Sequence, residues 1–187
     1  MNGLLILIAS PSGGGKTTVI RRLIEKFPDK FVYSVSATTR ESRPDEIGGK
    51  DYLFLSVEEF QKRAQNNQFL EWEEVHGYYY GTDLEFINRS LKSGKNVLLD
   101  LDVNGSLNVA KKFDGKVITI FLTPPSMDEL INRLKNRKTD SKEEIEKRLT
   151  RIPKEMEKSK QFDYIVQNDN LETTVNKVLD IIFNFKY

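Results

Sequence analysis

The stretch IASPSGGGKTTVIRRL, residues 8–23, sets the frame for the rest of the chain. The common phosphate-binding loop reads G-x-x-x-x-G-K-[ST] and would carry glycine at position 10. Here the loop runs Ser10, Pro11, Ser12, Gly13, Gly14, Gly15, Lys16, Thr17, Thr18. Upstream, the unbroken apolar run from Leu4 to Ile8 suits a strand buried on both faces. Downstream, Val19, Ile20, Leu23, Ile24 and Phe27 recur at helical spacing, and Pro28 ends the pattern. Strand, glycine loop and helix in this order let consecutive N–H groups and a helix N-terminus converge on an anion, with Lys16 adding a full charge. Thr17 offers a hydroxyl to a magnesium ion. The first glycine of the motif mainly eases entry into the loop, so a small serine replaces it at modest cost. Residues 10–18 are therefore candidate phosphate-binding residues.

A chain of 187 residues is long enough to bury a real core as one domain. Charged residues make up 30% of it, yet the net charge is +1, which argues against a general nucleic-acid binder. There is no cysteine, so disulfides and cysteine-built zinc sites are excluded. The single histidine, His76, cannot build a multi-histidine metal centre and reads as a loop residue. The N-terminal apolar run is too short to span a membrane and has no secretion-signal flank. A soluble, cytoplasmic protein with no membrane partner is expected.

Beyond the first helix, strands and helices alternate. Asn96–Asp102 and Val117–Leu122 read as buried strands, and Tyr164–Val166 as a shorter one. Helices are predicted over 83–93, 126–137, 141–160 and 171–185. Such alternation predicts an α/β fold, with helices on both faces of a parallel sheet. Ligands in these folds sit beyond the carboxyl ends of strands, where the loop after Ile8 and the end of Leu98-Leu99-Asp100 both fall. Asp100, after three apolar strand residues, stands where a carboxylate helps hold magnesium opposite Thr17. Residues 34–82 break the alternation with short β-like pieces (Val32–Ser36, Tyr52–Leu55), turn signals and clustered tyrosines, and read as an inserted subdomain. The stretch Arg133–Arg151 is rich in arginine and lysine. A solvated helix face is the ordinary reading of such a run, but Arg133 and Arg137 stand at i and i+4, on one face.

SVSATTRESRPDEIGGKDYLF, at 34–54, resembles the guanylate kinase signature S-V-S-x-T-T-R-x-x-R-x-x-E-x-x-G-x-D-Y-x-F. The likeness continues through FLEWEEVHGYYYGT (69–82), LLDLDVNG (98–105), PPSMDELINRLKNR (124–137) and EEIEKRL (143–149), covering nearly the whole chain in order. The resemblance implies magnesium-dependent phosphoryl transfer from ATP to GMP. It also implies a phosphate-loop core (1–33, 83–137 and 151–187), a GMP-binding subdomain (34–82) and a helical lid (138–150) within a single domain. By the same resemblance Arg40, Arg43 and Tyr52 hold the GMP phosphate with Tyr80 beside them. Lys16, Arg133, Arg137 and Arg148 line the ATP phosphates and the transferring group. Glu71 accepts the adjacent N1–H and 2-amino donors of guanine, Ser36 and Thr82 contact the base edge, Asp102 supports the GMP side, and Asn168 lies near the adenine. Taken alone, Glu71 is one acid among several, with Glu73 and Glu74 beside it.

The chain departs from the pattern at Ser10, at Asn104 where glutamine is usual, and at Lys138 and Asp140 where glycine and glutamate are usual; the last two bear on the lid. Two other functions fit parts of this reading: a non-catalytic interaction module of the same family, and a nucleoside monophosphate kinase for another base. The first typically lacks the loop residues, all present here, and the second should lack the 34–54 signature. The sequence leaves monomer or homodimer, and GMP against dGMP, open.

Overall fold

The computed structural model describes residues 3–43, 46–49, 52–75, 77–135 and 142–185. At its centre, strand β1 (Leu5–Ala9) has no exposed residue. It lies between β7 (Asn96–Asp100) and β8 (Val117–Thr123), parallel to both, with Leu5 opposite Val97 and Val117. Because successive side chains of a strand point to opposite faces, Ile6 and Ile8 go one way and Leu5 and Leu7 the other. The first pair packs with Val19, Ile20 and Leu23 of α1 (Lys16–Lys26) and Val175, Val178 and Ile182 of α7 (Leu171–Asn184). The second packs with Ile87 and Leu91 of α3 (Leu84–Lys92) and Val109 of α4 (Val103–Lys112). Both faces are covered, so the strand has no polar position, and this is why its sequence is a run instead of an alternation. Truncating Ile8 to alanine would cost about 2–5 kcal/mol, by lost burial and the cavity left behind.

The outer strands β2 (Phe31–Tyr33) and β9 (Tyr164–Gln167) complete a five-stranded parallel sheet in the order β2-β7-β1-β8-β9. The architecture is α/β, a parallel sheet flanked by helices, as the alternation predicts. Helices expected over 83–93, 126–137, 141–160 and 171–185 are α3, α5 (Met127–Lys135), α6 (Lys142–Lys158, continued by a 3-10 turn) and α7. Their starts are capped as the residue types dictate: Asp83, Ser126 and Asn170 each accept from a backbone N–H three residues on. The strand expected over 96–102 stops at Asp100, because Asp102 turns to cap α4, accepting from the Gly105 N–H at 2.6 Å.

Residues 36–83 hold a second sheet, ordered β4-β3-β6-β5. Strands β5 (Phe69–Val75) and β6 (Tyr78–Asp83) form an antiparallel hairpin, and β3 (Ser36–Thr38) pairs antiparallel with β6. β4 (Leu53–Phe54) joins β3 in parallel. The piece expected at Val32–Ser36 is thus divided between two sheets: its first part edges the parallel sheet and its last residue begins β3. Helix α2 (Val57–Gln65) closes the small core of this unit, its Phe60 stacked on Phe69 at 4.4 Å between centroids. Among the described residues, no helix is long and apolar enough to cross a membrane.

Candidate active site

The loop after β1 holds its shape through its small residues. Gly13 and Gly15 have φ of 85° and 88°, in the left-handed region where a side chain is strained. A Cβ on Gly14 would stand 2.6 Å from the Ser10 hydroxyl, so the Ser10 side chain fills the space beneath a residue that has none. Ser10 is buried and donates to the Pro11 carbonyl at 2.9 Å, which explains how serine is accommodated at the motif's first glycine. Asn168 is also buried and donates to the Gly14 carbonyl at 2.7 Å. It braces the loop from behind and is not among the residues lining the cavity in front. Helix α1 begins without a side-chain cap and without an acid in its first turn, leaving its first N–H groups to an anion. The cavity there measures about 400 Å³ and is lined by residues 10–18 with Arg133 and Arg148.

Strand pairing brings the carboxylate to the loop. Asp100 ends β7 directly beside Ile8 of β1. Its Oδ1 lies 3.2 Å from the Lys16 ammonium and its Oδ2 accepts from the Thr17 hydroxyl at 3.0 Å. Arg148 donates to the Ser12 hydroxyl at 2.6 Å, and Arg133 pairs with Glu129 at 2.9 Å. Arg137 lies outside the described residues, as do His76, Lys138 and Asp140.

A second cavity, about 340 Å³, opens between the two sheets. Ser36, Tyr52, Glu71, Glu73, Tyr80 and Gly81 line it from one side, and Asp100, Leu101 and Asp102 from the other. The hairpin register explains the grouping: Glu71 pairs with Thr82 and Glu73 with Tyr80, while Ser36 lies opposite Thr82 on β3. Buried Thr82 donates its hydroxyl to Glu71 Oε1 at 2.6 Å. Burial holds the Glu71 carboxyl above the usual carboxylate range; the Thr82 hydrogen bond opposes this, and the charges of Glu73 and Asp102 add to it. Burial, with Asp102 facing it, raises Glu73 as well. Arg40 and Arg43 stand outside this lining. Arg40 lies over the Tyr52 ring, 5.4 Å from its centroid, and gives two hydrogen bonds to Glu46 at 2.7 and 2.9 Å. Arg43 is exposed, and its backbone N–H donates to the same Glu46 at 2.8 Å.

Three carboxylates here escape the reading of the sequence. Glu46 is part of the quoted signature, yet nothing in a sequence shows that it holds Arg40. Glu73 follows Glu71 by two residues, the spacing that puts both on one face of a strand, and was recoverable once a strand was assumed. Glu155, on α6, lies 55 residues past Asp100 with no motif around it; burial, with the charge of Asp102, holds its carboxyl above the usual carboxylate range.

A parallel α/β core with a lysine-bearing glycine loop, a strand-end carboxylate against it and an acidic cavity on an inserted sheet defines a phosphate-loop nucleotide kinase. Comparison with known proteins narrows the class. The guanylate kinase family model matches residues 2–185. A guanylate kinase of Caldanaerobacter subterraneus subsp. tengcongensis is 46% identical over 180 residues, covering 96% of this chain and 86% of the relative. One from Thermotoga maritima is 43% identical, covering 97% and 87%. The crystal structure of guanylate kinase from Anaplasma phagocytophilum superposes with a TM-score of 0.75 at 29% identity, covering 97% of this chain and 85% of that one. The chain belongs to the guanylate kinase family.

Proposed function

We propose that this chain works as a guanylate kinase in the cytoplasm, transferring the γ-phosphoryl group of ATP to GMP, or to dGMP as the related acceptor, and releasing ADP. The single observation that carries the reading is the position of Asp100. It touches Lys16 and Thr17 of the phosphate loop and also lines the acidic cavity, so the two cavities meet at one carboxylate. A donor site and an acceptor site that share a wall are what in-line transfer needs, whereas a peptide-binding module has no use for Lys16 and Thr17 on a carboxylate.

The division of labour follows from charge. A phosphate monoester is close to doubly ionised at neutral pH, so the attacking GMP oxygen needs no general base. Its lone pair forms the new P–O bond as the bond to the ADP oxygen breaks. The obstacle is repulsion, about −4 of net charge once one divalent ion is counted. Loop residues 10–18 and Lys16 cradle the ATP phosphates, and Arg133, Arg148 and Arg137 add charge as the site closes; Arg137 enters on the resemblance alone. Arg40, Arg43, Tyr52 and Tyr80 take the GMP phosphate. For Arg40 this means exchanging Glu46 for a phosphate, one anion for another. Glu71, Ser36, Thr82 and Asp102 face the base, Glu71 accepting both guanine donors. Asn168 enters as an indirect member of the ATP side, through Gly14.

Thr17 and Asp100 fit a magnesium ion. Both offer hard oxygens of the kind such an ion takes, held 3.0 Å apart. Bound there, the ion would neutralise phosphate charge. The moving parts are read as the 34–82 subdomain and the 138–150 lid on a core of 1–33, 83–137 and 151–187. These sites all fall within one chain, which suits a monomer or a homodimer equally.

A coupled ADP-release assay with GMP, AMP, UMP and dTMP offered separately, with and without a magnesium chelator, tests the reading. Turnover confined to GMP and lost on chelation is expected. Equal turnover of another base would overturn it.

A further inference from the structure

Strands β3, β6 and β5 set their residues out in rows across the second sheet. Ser36, Thr82 and Glu71 stand opposite one another in one row, and Thr38, Tyr80 and Glu73 in another. The rows are two residues apart along the strands, about 6.6 Å, so both belong to the same face. The first row is the base end of the acceptor site proposed above. The second leads to its phosphate end: the Tyr80 ring lies 6.2 Å from that of Tyr52, and Arg40 stands over Tyr52. Glu73 closes the second row on β5, one step along the strand face from Glu71.

Nothing in the fold employs the Glu73 carboxylate. It is exposed, it lines the cavity opposite Asp102, and none of the hydrogen bonds or ion pairs among the described residues takes it up. Its two acidic neighbours differ: Glu71 is held by the Thr82 hydroxyl, and Asp102 is engaged as the cap of α4. Glu73 therefore offers the cavity an acceptor that still lacks a donor. A guanine nucleotide supplies one. With its N1–H and 2-amino group on Glu71, the base turns towards β5 the edge that, in the anti conformation, also carries the ribose 2′-hydroxyl. The sugar links the base to the phosphate, so it lies along the second row, within reach of Glu73. A carboxylate on the 2′-hydroxyl is a recurrent device of nucleotide sites, and this hydroxyl is the group a deoxynucleotide lacks.

We propose that Glu73 is a specificity residue for the acceptor's sugar: its carboxylate accepts from the ribose 2′-hydroxyl of GMP, so the site favours GMP over dGMP. The inference rests on the kinase reading above and narrows its acceptor to the ribonucleotide. Glu71 and Glu73 then divide the work on one strand face, the first reading the base and the second the sugar.

The test measures kcat/KM for GMP and for dGMP on the wild type, Glu73→Ala and Glu73→Gln, with KM for ATP and the unfolding temperature beside them. The wild type should prefer GMP about tenfold, the low end for a hydrogen bond to a charged group, as suits an exposed carboxylate. Alanine should bring the ratio close to unity, with the change in KM for GMP. Glutamine keeps a neutral carbonyl acceptor and should fall between the two. Loss of the charge also alters the field on the acceptor phosphate, but this acts on both nucleotides alike and cancels in the ratio. KM for ATP and the unfolding temperature should stay near wild type, since the side chain is exposed and on the acceptor side. Equal use of GMP and dGMP by the wild type would overturn the proposal, and so would a wild-type ratio in the alanine variant. Either result, obtained with GMP turning over, sinks the sugar assignment alone; a wild type that does not turn over GMP removes the kinase reading and this inference with it.

Discussion

The Thr82 hydroxyl donates to Glu71 Oε1 at 2.6 Å across the β5–β6 hairpin. This bond occupies one lone pair of a carboxylate that faces the acidic cavity and fixes its plane, leaving acceptor capacity on both oxygens. Glu71→Gln replaces one acceptor with a donor that would face a guanine donor. Hydrogen bonds to charged groups contribute about 1.5–3 kcal/mol, so kcat/KM for GMP should fall ten- to a hundredfold or more, with KM for ATP nearly unchanged. Glu73 shares the cavity and is no neutral comparison; Glu74, exposed and on the opposite face of β5, is the control. Steady-state kinetics on Glu71→Gln and Glu74→Gln decide it, and equal mildness would mean that Glu71 does not read the base.

Acid should weaken GMP use sooner than a solvated glutamate would allow. Burial raises the Glu71 carboxyl, so the folded protein disfavours its anion. As pH falls through that raised value the carboxyl gains a proton and can no longer accept from both guanine donors. Among the described residues Thr82 is the neighbour that lowers it, so Thr82→Val should move the acid limb of the GMP profile to higher pH. The phosphate of GMP titrates identically against both proteins, and the difference between their profiles isolates the protein group. Superimposable limbs would sink the idea.

Lys16→Met should remove turnover by at least about a hundredfold, the usual scale for losing a group aimed at transition-state charge. GMP binding should persist, because Lys16 lies on the loop side of Asp100 and the acidic cavity on the other. Calorimetry with GMP alone, beside the turnover assay, checks both halves; loss of both together would mean that the two sites are misplaced.

Both nucleotides together should draw the 34–82 subdomain and the 138–150 lid towards the core, since each brings positive groups to one set of phosphates. Small-angle scattering should give a smaller radius of gyration with both nucleotides than with neither. An unchanged radius would count against moving parts.

The sequence discloses most where burial is uniform. Leu4–Ile8 is legible because helices cover both faces of β1, and the glycine loop because Gly13 and Gly15 answer a backbone need. Helix α4 is hidden: only two residues separate it from β7, and its buried face sets Ser106 among Val103, Leu107 and Val109. Helix α2 buries only Phe60. The β5–β6 hairpin shows no apolar alternation because one face of Glu71-Trp72-Glu73-Glu74 serves a polar cavity and the other leaves Trp72 half exposed. Glu71 stands out from its acidic neighbours only through its register opposite Thr82, and pairing register is not written in one strand. The hold of Glu46 on Arg40 depends on where the loop folds back, beyond any local pattern.

The chain leaves the parallel sheet between Tyr33 and Ser36 and returns between Asp83 and Leu84, and at these two crossings Ser36 pairs with Thr82. A flap hung from two adjacent cords would swing easily and slide or twist only with difficulty. Side chains near the pin, Ser36, Thr82 and the neighbouring Glu71, would travel little during such a swing. Arg40 and Tyr52, farther out, would sweep the longer arc. The base would then be inspected by the nearly stationary part of the flap, while the charge that drives the chemistry is carried in on its moving edge.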